Sequence, residues 1–200
     1  MIWHDRAEAG QQLANALKQY DQQSTVIVVG LPRGGVVTAA VVAKTLQLPL
    51  DIVITRKLGA PGHQEYAWGA LTETGVIVGH GTDEVISQEK KELDRRIKQY
   101  RGGQARIELK NKVVILVDDG IATGLTMQAA IQSIQQQEPQ RIIVAVPVAP
   151  PDTVVELKRI VDDVVVLDQP DNFMAVGQFY EEFDQVTDEQ VQYYLTHGNT

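Results

Sequence analysis

Asp118 and Asp119 follow the apolar run Val113–Val117 without a break, and a small-residue stretch leads from them to Leu125. Adjacent carboxylates repel each other, so a pair at the end of a buried strand marks a place where something accepts their charge. An ionised carboxylate only accepts hydrogen bonds. Two of them suit the two hydroxyls of a vicinal diol, each donating a charge-assisted bond. The stretch after them suits an anion. Gly120, Ala122 and Gly124 let the backbone approach a ligand closely, and amides at the start of the helix expected from Leu125 form an anion site. Thr123 and Thr126 add hydroxyl donors; with Ile121 and Leu125 they complete a cradle for one phosphate. A ligand with phosphate at one end and a diol at the other has the layout of a ribose 5-phosphate. Taken alone, Asp-Asp-Gly is also an ordinary turn and helix cap.

Two other segments join cations to glycine. In Gly30–Gly35, "GLPRGG", the chain leaves an apolar strand and enters a helix. The segment lacks the Gly-Lys-Ser/Thr of a Walker loop and the spacing of a dinucleotide fingerprint. Arg33, beside Gly34 and Gly35, sets a fixed planar cation among backbone amides, which suits a second, multiply charged phosphate group. Arg56 and Lys57 end the apolar run "LDIVITR" and suit a pyrophosphate. His63 and Glu65, further along, are candidates for a general acid or base. Each also has a plain structural reading: a surface arginine after a strand, ordinary surface charge, and a solvated loop histidine.

Alternating apolar segments must position these residues. Residues 5–20 read as an amphipathic helix, and Thr25–Gly30 as a β-branched strand of the doubly covered kind. A helix follows through "VVTAAVVAKTL", then the strand "LDIVITR". The Gly-bearing segment 58–81 reads as a flexible loop or hairpin pairing Tyr66–Leu71 with Val76–Val78. Ser87 to Tyr100 reads as a charged helix exposed on most faces. Strands at "VVILVDD", "RIIVAVPVA" and "DVVVLDQ" alternate with helices near Leu125–Gln137 and Pro151–Val161. The fold class is α/β, with a central parallel sheet covered by helices on both faces, in a single domain over residues 1–200. Residues 169–200, rich in aromatics, break the alternation and read as a small cap. In such sheets ligands bind at the carboxyl ends of the strands, so the three segments are expected to converge.

Composition narrows the classes. A chain of 200 residues with 44% apolar side chains can bury a substantial core. The net charge of −8 argues against non-specific binding to nucleic acid or an anionic membrane, so an anion must be held by a local device. The absence of cysteine excludes disulfides, thiolate nucleophiles and Cys-based zinc sites. The charged opening "MIWHDRAEAG" does not read as a signal peptide, and no apolar run reaches the length of a membrane span, so a cytoplasmic location is expected. A phosphoacceptor receiver domain, with Asp168 as acceptor, fails on order: its acidic pair should lie near the chain start, and no lysine follows Asp168.

"VVILVDDGIATG" resembles the signature of type I phosphoribosyltransferases, enzymes that use phosphoribosyl pyrophosphate (PRPP), and "PRGG" resembles their pyrophosphate loop. Segment 58–81 is similar in placement to their flexible loop, and the tail to their hood. With "RKLGAPG" and "AVGQFYEEF", the pattern over about Val26–Tyr180 is similar to a group of bacterial phosphoribosyltransferases whose acceptor is not established. The resemblance implies that Asp118 and Asp119 bind the ribose hydroxyls, that residues 120–126 hold the 5′-phosphate, and that Arg33, Gly34 and Gly35, with Arg56 and Lys57, meet the pyrophosphate. It implies a cis peptide at Pro32–Arg33. It implies magnesium (Mg2+) bound to substrate oxygens, with Asp118 contributing through water, and an oxocarbenium-like displacement at the anomeric carbon. The acceptor would be a nitrogen heterocycle or amine packed on Phe173, Val176 and Tyr180, and the family default is a homodimer. One departure is Ala122, where hypoxanthine-type enzymes place an acidic residue that contacts the purine. A PRPP- or nucleotide-binding sensor without turnover is the alternative reading.

Overall fold

The computed structural model describes residues 1–60 and 62–198, and the side chains of all of these but residues 63–67. Five short apolar runs form a parallel sheet: β1 (Val26–Gly30), β2 (Leu50–Ile52), β6 (Val113–Val117), β7 (Arg141–Val148) and β8 (Asp163–Asp168). Their spatial order is β2-β1-β6-β7-β8. β1 and β6 are buried at every residue. Their alternate side chains therefore serve two separate cores. Val26, Val28, Ile115 and Val117 pack with α1 (Arg6–Ala16) and α2 (Gly34–Thr45). Ile27, Val29, Val114 and Leu116 pack with α4 (Leu125–Gln135) and α5 (Pro151–Leu157). Both faces of the sheet are covered, as the continuous apolar runs require.

The strand expected from Leu50 to Arg56 divides in two. Parallel pairing stops at Ile52, opposite the last residue of β1, Gly30. The chain then starts a second, antiparallel sheet of β3 (Thr55–Ala60), β4 (His63–Thr72) and β5 (Ile77–Gly79), in that order. Segment 58–81, expected as a loop or hairpin, is mostly this ribbon, with Leu71 opposite Ile77 and Ala70 opposite Val78. A buried ionic cluster ties it to the main sheet. Arg101 donates to Asp51 Oδ1 at 2.9 Å and to the Ile52 carbonyl at 2.7 Å, and lies 3.3 Å from Glu73 Oε1.

Two expectations are corrected here. The charged helix, α3 (Asp83–Arg101), starts four residues earlier than Ser87 because Thr82 Oγ1 accepts from the Val85 amide and caps it. It is not exposed on most faces: Leu93, Arg96, Tyr100 and Arg101 are buried. The tail is more than a cap over one end. A short 3₁₀ turn, Val176–Phe179, is followed by α6 (Asp188–His197), which packs on α2 and α3. Thr187 and Gln190 form a capping box at the start of α6, with Thr187 Oγ1 accepting from the Gln190 amide and Gln190 Oε1 from the Thr187 amide. The N-terminus joins the hood as a further piece. The Trp3 amide donates to the Phe179 carbonyl and the Glu181 amide to the Trp3 carbonyl, each at 2.9 Å. Trp3, fully buried, packs with Phe179, Tyr180 and Val148.

Candidate functional site

A cleft of about 1060 Å³ opens at the carboxyl ends of β1 and β6. Its floor is the acid pair at the tip of β6, and one wall is the turn after β1. The glycines of that turn are dictated by contact with the acids. A Cβ on Gly34 would lie 2.0 Å from Asp119 Oδ2, and one on Gly35 would lie 2.4 Å from Asp118 Oδ1 and 2.8 Å from the Asp118 Cα. Any side chain here would displace the carboxylates, so the two sequence segments interlock. The Pro32–Arg33 peptide is cis.

The two acids differ in surroundings. Arg6 Nε–H donates to Asp119 Oδ2 at 2.7 Å, and the Tyr180 hydroxyl donates to the Asp119 carbonyl oxygen at 2.5 Å. Asp118 Oδ1 accepts the Asp119 amide at 2.9 Å. Burial and the adjacent Asp119 push the Asp118 carboxyl well above the usual carboxylate range, with the Lys57 charge pulling it back. Burial also raises Asp119, against the charge and hydrogen bond of Arg6. One guanidinium, bonded to Asp119 alone, thus stands against two carboxylates, and their donor set would fit a further cation held jointly with ligand oxygens, the way magnesium usually binds. Among the described residues no three His, Asp or Glu side chains gather as a protein-only metal cage.

The loop after the pair ends in a positive-φ glycine, Gly124 (φ +75°), which is the N-cap of α4. Ala122 and Thr123 are exposed at the cleft, and Thr153 Oγ1–H donates to the Ala122 carbonyl at 2.9 Å. No acceptor among the described residues takes the amides of residues 122–126. The cradle expected for one anion therefore has its donors unengaged.

The cleft brings together Arg33, Gly34, Arg56, Lys57, Asp118, Asp119, residues 120–124 and Thr126. Gly35 and Leu125 stand just behind its lining. Arg56 is partly committed, since its Nε–H donates to Glu89 Oε2 at 2.5 Å. Arg56 and Lys57 belong to the ribbon strand β3 rather than to the tip of β2. The side chains of His63 and Glu65 lie outside the described residues. Of the three hood residues expected against an acceptor, Val176 lines the cleft. Phe173 packs on Phe179 with ring centroids 5.4 Å apart, and Tyr180 is buried between Trp3 and Phe183. Phe183, half-buried, lines the cleft instead.

Sequence reasoning missed Arg6, Phe183 and the cleft-facing side of α3, which supplies Glu84, Gln88, Glu89 and Arg96. For α3 the signal was present: Leu93, Arg96 and Tyr100 recur at helical spacing. Arg6 lies 113 residues from its partner and gave none.

The five-stranded parallel sheet with helices on both faces and an antiparallel ribbon beside it is the fold of type I phosphoribosyltransferases. The phosphoribosyl transferase domain family matches residues 3–184, and the chain belongs to that family. A protein of Mycobacterium tuberculosis (strain H37Rv) named "Putative phosphoribosyl transferase" is 42% identical over 206 residues, covering 97% of this chain and 46% of the relative. The chain thus spans about half the length of the curated relatives it matches. The crystal structure of TT1426 from Thermus thermophilus is similar with a TM-score of 0.83 at 41% identity, covering 98% of both chains. A purine phosphoribosyltransferase from Pyrococcus horikoshii shares the fold, with a TM-score of 0.52 at 21% identity over 91% of this chain and 93% of that one.

Proposed function

We propose that this chain transfers a phosphoribosyl group from PRPP to a nitrogen acceptor, a nucleobase or related heterocycle or amine, with release of pyrophosphate. The observation that carries the reading is the contact of Gly34 and Gly35 with the carboxylates of Asp119 and Asp118. It draws an acid pair, a cationic glycine turn and an open amide cradle to one cleft, which supports a sugar phosphate as the ligand.

In this reading Asp118 and Asp119 accept hydrogen bonds from the ribose hydroxyls, and residues 120–126 receive the 5′-phosphate. Arg33, Arg56 and Lys57 face the diphosphate. The bond from the anomeric carbon to the diphosphate oxygen breaks, the acceptor nitrogen bonds to that carbon, and the nitrogen gives up its proton. Positive charge develops on the ring in between, and the acid pair beneath the sugar stabilises it. Asp118 would help to hold magnesium through water, and that ion would supply charge neutralisation for the leaving diphosphate. Val176 and Phe183 supply the apolar side of the acceptor space.

The test is incubation with PRPP, magnesium and a panel of bases and amines, reading pyrophosphate release. Release with one acceptor and its loss in Asp119→Asn support transfer. Tight PRPP binding by calorimetry without release from any acceptor supports a sensor instead.

A further inference from the structure

The charge balance of the cleft wall opposite the acid pair points to a residue outside the motifs. Arg56 is neutralised by Glu89. On the neighbouring turns of α3, Arg96 lines the cleft and is nine-tenths buried. Its Nε–H donates to Glu92 Oε1 at 2.8 Å, and no acceptor among the described residues takes its two terminal amino groups. Glu92 must also serve Arg95, which it meets at 2.7 Å. Burial works against it, yet the hydrogen bonds from Arg95 and Arg96 hold Glu92 down at about 2, so it stays a single fixed negative charge.

Arg33 shows the same incomplete pairing. Its guanidinium lies 3.8 Å from Asp188 Oδ1, beyond hydrogen-bond distance, while Asp188 takes the Tyr100 hydroxyl at 2.5 Å and Arg95 at 2.8 Å. Arg33 and Arg96 both line the cleft, and Arg33 reaches Asp188 at the start of α6. Three arginines (33, 95 and 96) face two carboxylates (Glu92 and Asp188). One positive charge remains within this cluster, and Arg33 and Arg96 line the same cleft as Lys57.

We infer that Arg96 is a further anion-binding residue, which with Arg33 and Lys57 forms the subsite for a diphosphate group, while Asp188 holds Arg33 in place until the anion arrives. The natural ligand's identity rests on the transferase reading; the subsite itself does not. A buried guanidinium with two free donor groups on one edge is suited to bridge two phosphate oxygens.

Calorimetry on the full chain tests this with inorganic pyrophosphate, PRPP and ribose 5-phosphate as probes. Arg96→Gln weakens pyrophosphate and PRPP by about tenfold or more, the loss of one charge-assisted contact. It changes ribose 5-phosphate by less than about twofold, and Arg96→Lys recovers part of the loss. Arg95→Gln, which shares Glu92 and Asp188 but does not line the cleft, weakens pyrophosphate by less than Arg96→Gln does. Equal weakening of all three probes by Arg96→Gln, or weakening of pyrophosphate by Arg95→Gln as large as by Arg96→Gln, overturns the assignment in favour of a structural role for the cluster. No change with Arg96→Gln overturns it outright, as does a wild-type chain that binds no pyrophosphate. If pyrophosphate binding depends on Arg96 while no acceptor yields product, the subsite stands and the transferase reading falls.

Discussion

Arg6 Nε–H donates to Asp119 Oδ2 across 2.7 Å, and the same guanidinium lies 3.8 Å from the centroid of the Phe183 ring. A helix near the N-terminus, the tip of β6 and the hood therefore meet at one cation. Arg6 also donates to the Asp184 carbonyl at 2.9 Å. It fixes the orientation of Asp119 and closes the hood over it, with cation–π attraction adding to the charge pair.

Arg6→Gln removes the charge that opposes the effect of burial on Asp119. The Asp119 carboxyl then rises further, and less of it is ionised at neutral pH. Ribose 5-phosphate binding is expected to weaken about tenfold, the scale of one charge-assisted bond, and to recover partly as pH rises. Calorimetry at several pH values checks this. A loss independent of pH would mean that Arg6 touches the ligand directly.

Gly35→Ala is expected to be more damaging than Gly34→Ala. The new methyl at 35 would lie 2.8 Å from the Asp118 Cα, a backbone atom at the end of a fully buried strand. At 34 it meets a carboxylate whose side chain can turn, although doing so breaks the bond to Arg6. Overpacking of this kind costs about 1–3 kcal/mol. Urea denaturation gives the ranking, and both variants should lose ligand binding.

How far the sequence disclosed this arrangement depends on the range of each signal. The buried strands at Val26–Gly30 and Val113–Val117 were legible because continuous β-branched runs admit few other fates. The acid pair and glycine turn were legible because unusual residues sat at strand ends. The division of Leu50–Ala60 into β2 and β3 was not: no glycine or proline lies between Ile52 and Thr55, and the stop is set by where the neighbouring strand β1 ends. Capping at Thr187–Gln190 was a local signal for α6, outweighed by the absence of alternation around it. The pairing of Trp3 with Phe179 and Glu181 spans nearly the whole chain, and nothing local announces it.

Tyr180→Phe tests the hood's attachment without disturbing its packing. The ring stays against Trp3 and Phe183, centroids 5.6 and 5.0 Å away. Only the hydroxyl that donates to the Asp119 carbonyl is removed. An orphaned buried carbonyl costs about 1–3 kcal/mol. A stability loss in that range is expected by denaturant titration. An unchanged midpoint would show that the hydroxyl contributes nothing to the closed hood.

Asp118→Asn should separate stability from function. Burial and Asp119 raise the Asp118 carboxyl in the folded chain, whereas the unfolded chain ionises in the ordinary range near about 3.9. Above that range the folded state binds more protons than the unfolded one, so stability falls as pH rises, until the folded carboxyl has itself ionised. Asparagine carries no such linkage, and its side-chain oxygen can still accept the Asp119 amide. The variant is expected to melt above the wild type at pH 7, with the difference shrinking toward pH 4. Its affinity for ribose 5-phosphate is expected to fall, because the vicinal diol loses an ionised acceptor. Thermal melts at pH 4 and 7, with calorimetry on the same samples, check both halves. A variant less stable than the wild type at pH 7 would show that Asp118 is a structural acid, held in place for the loop rather than for a ligand.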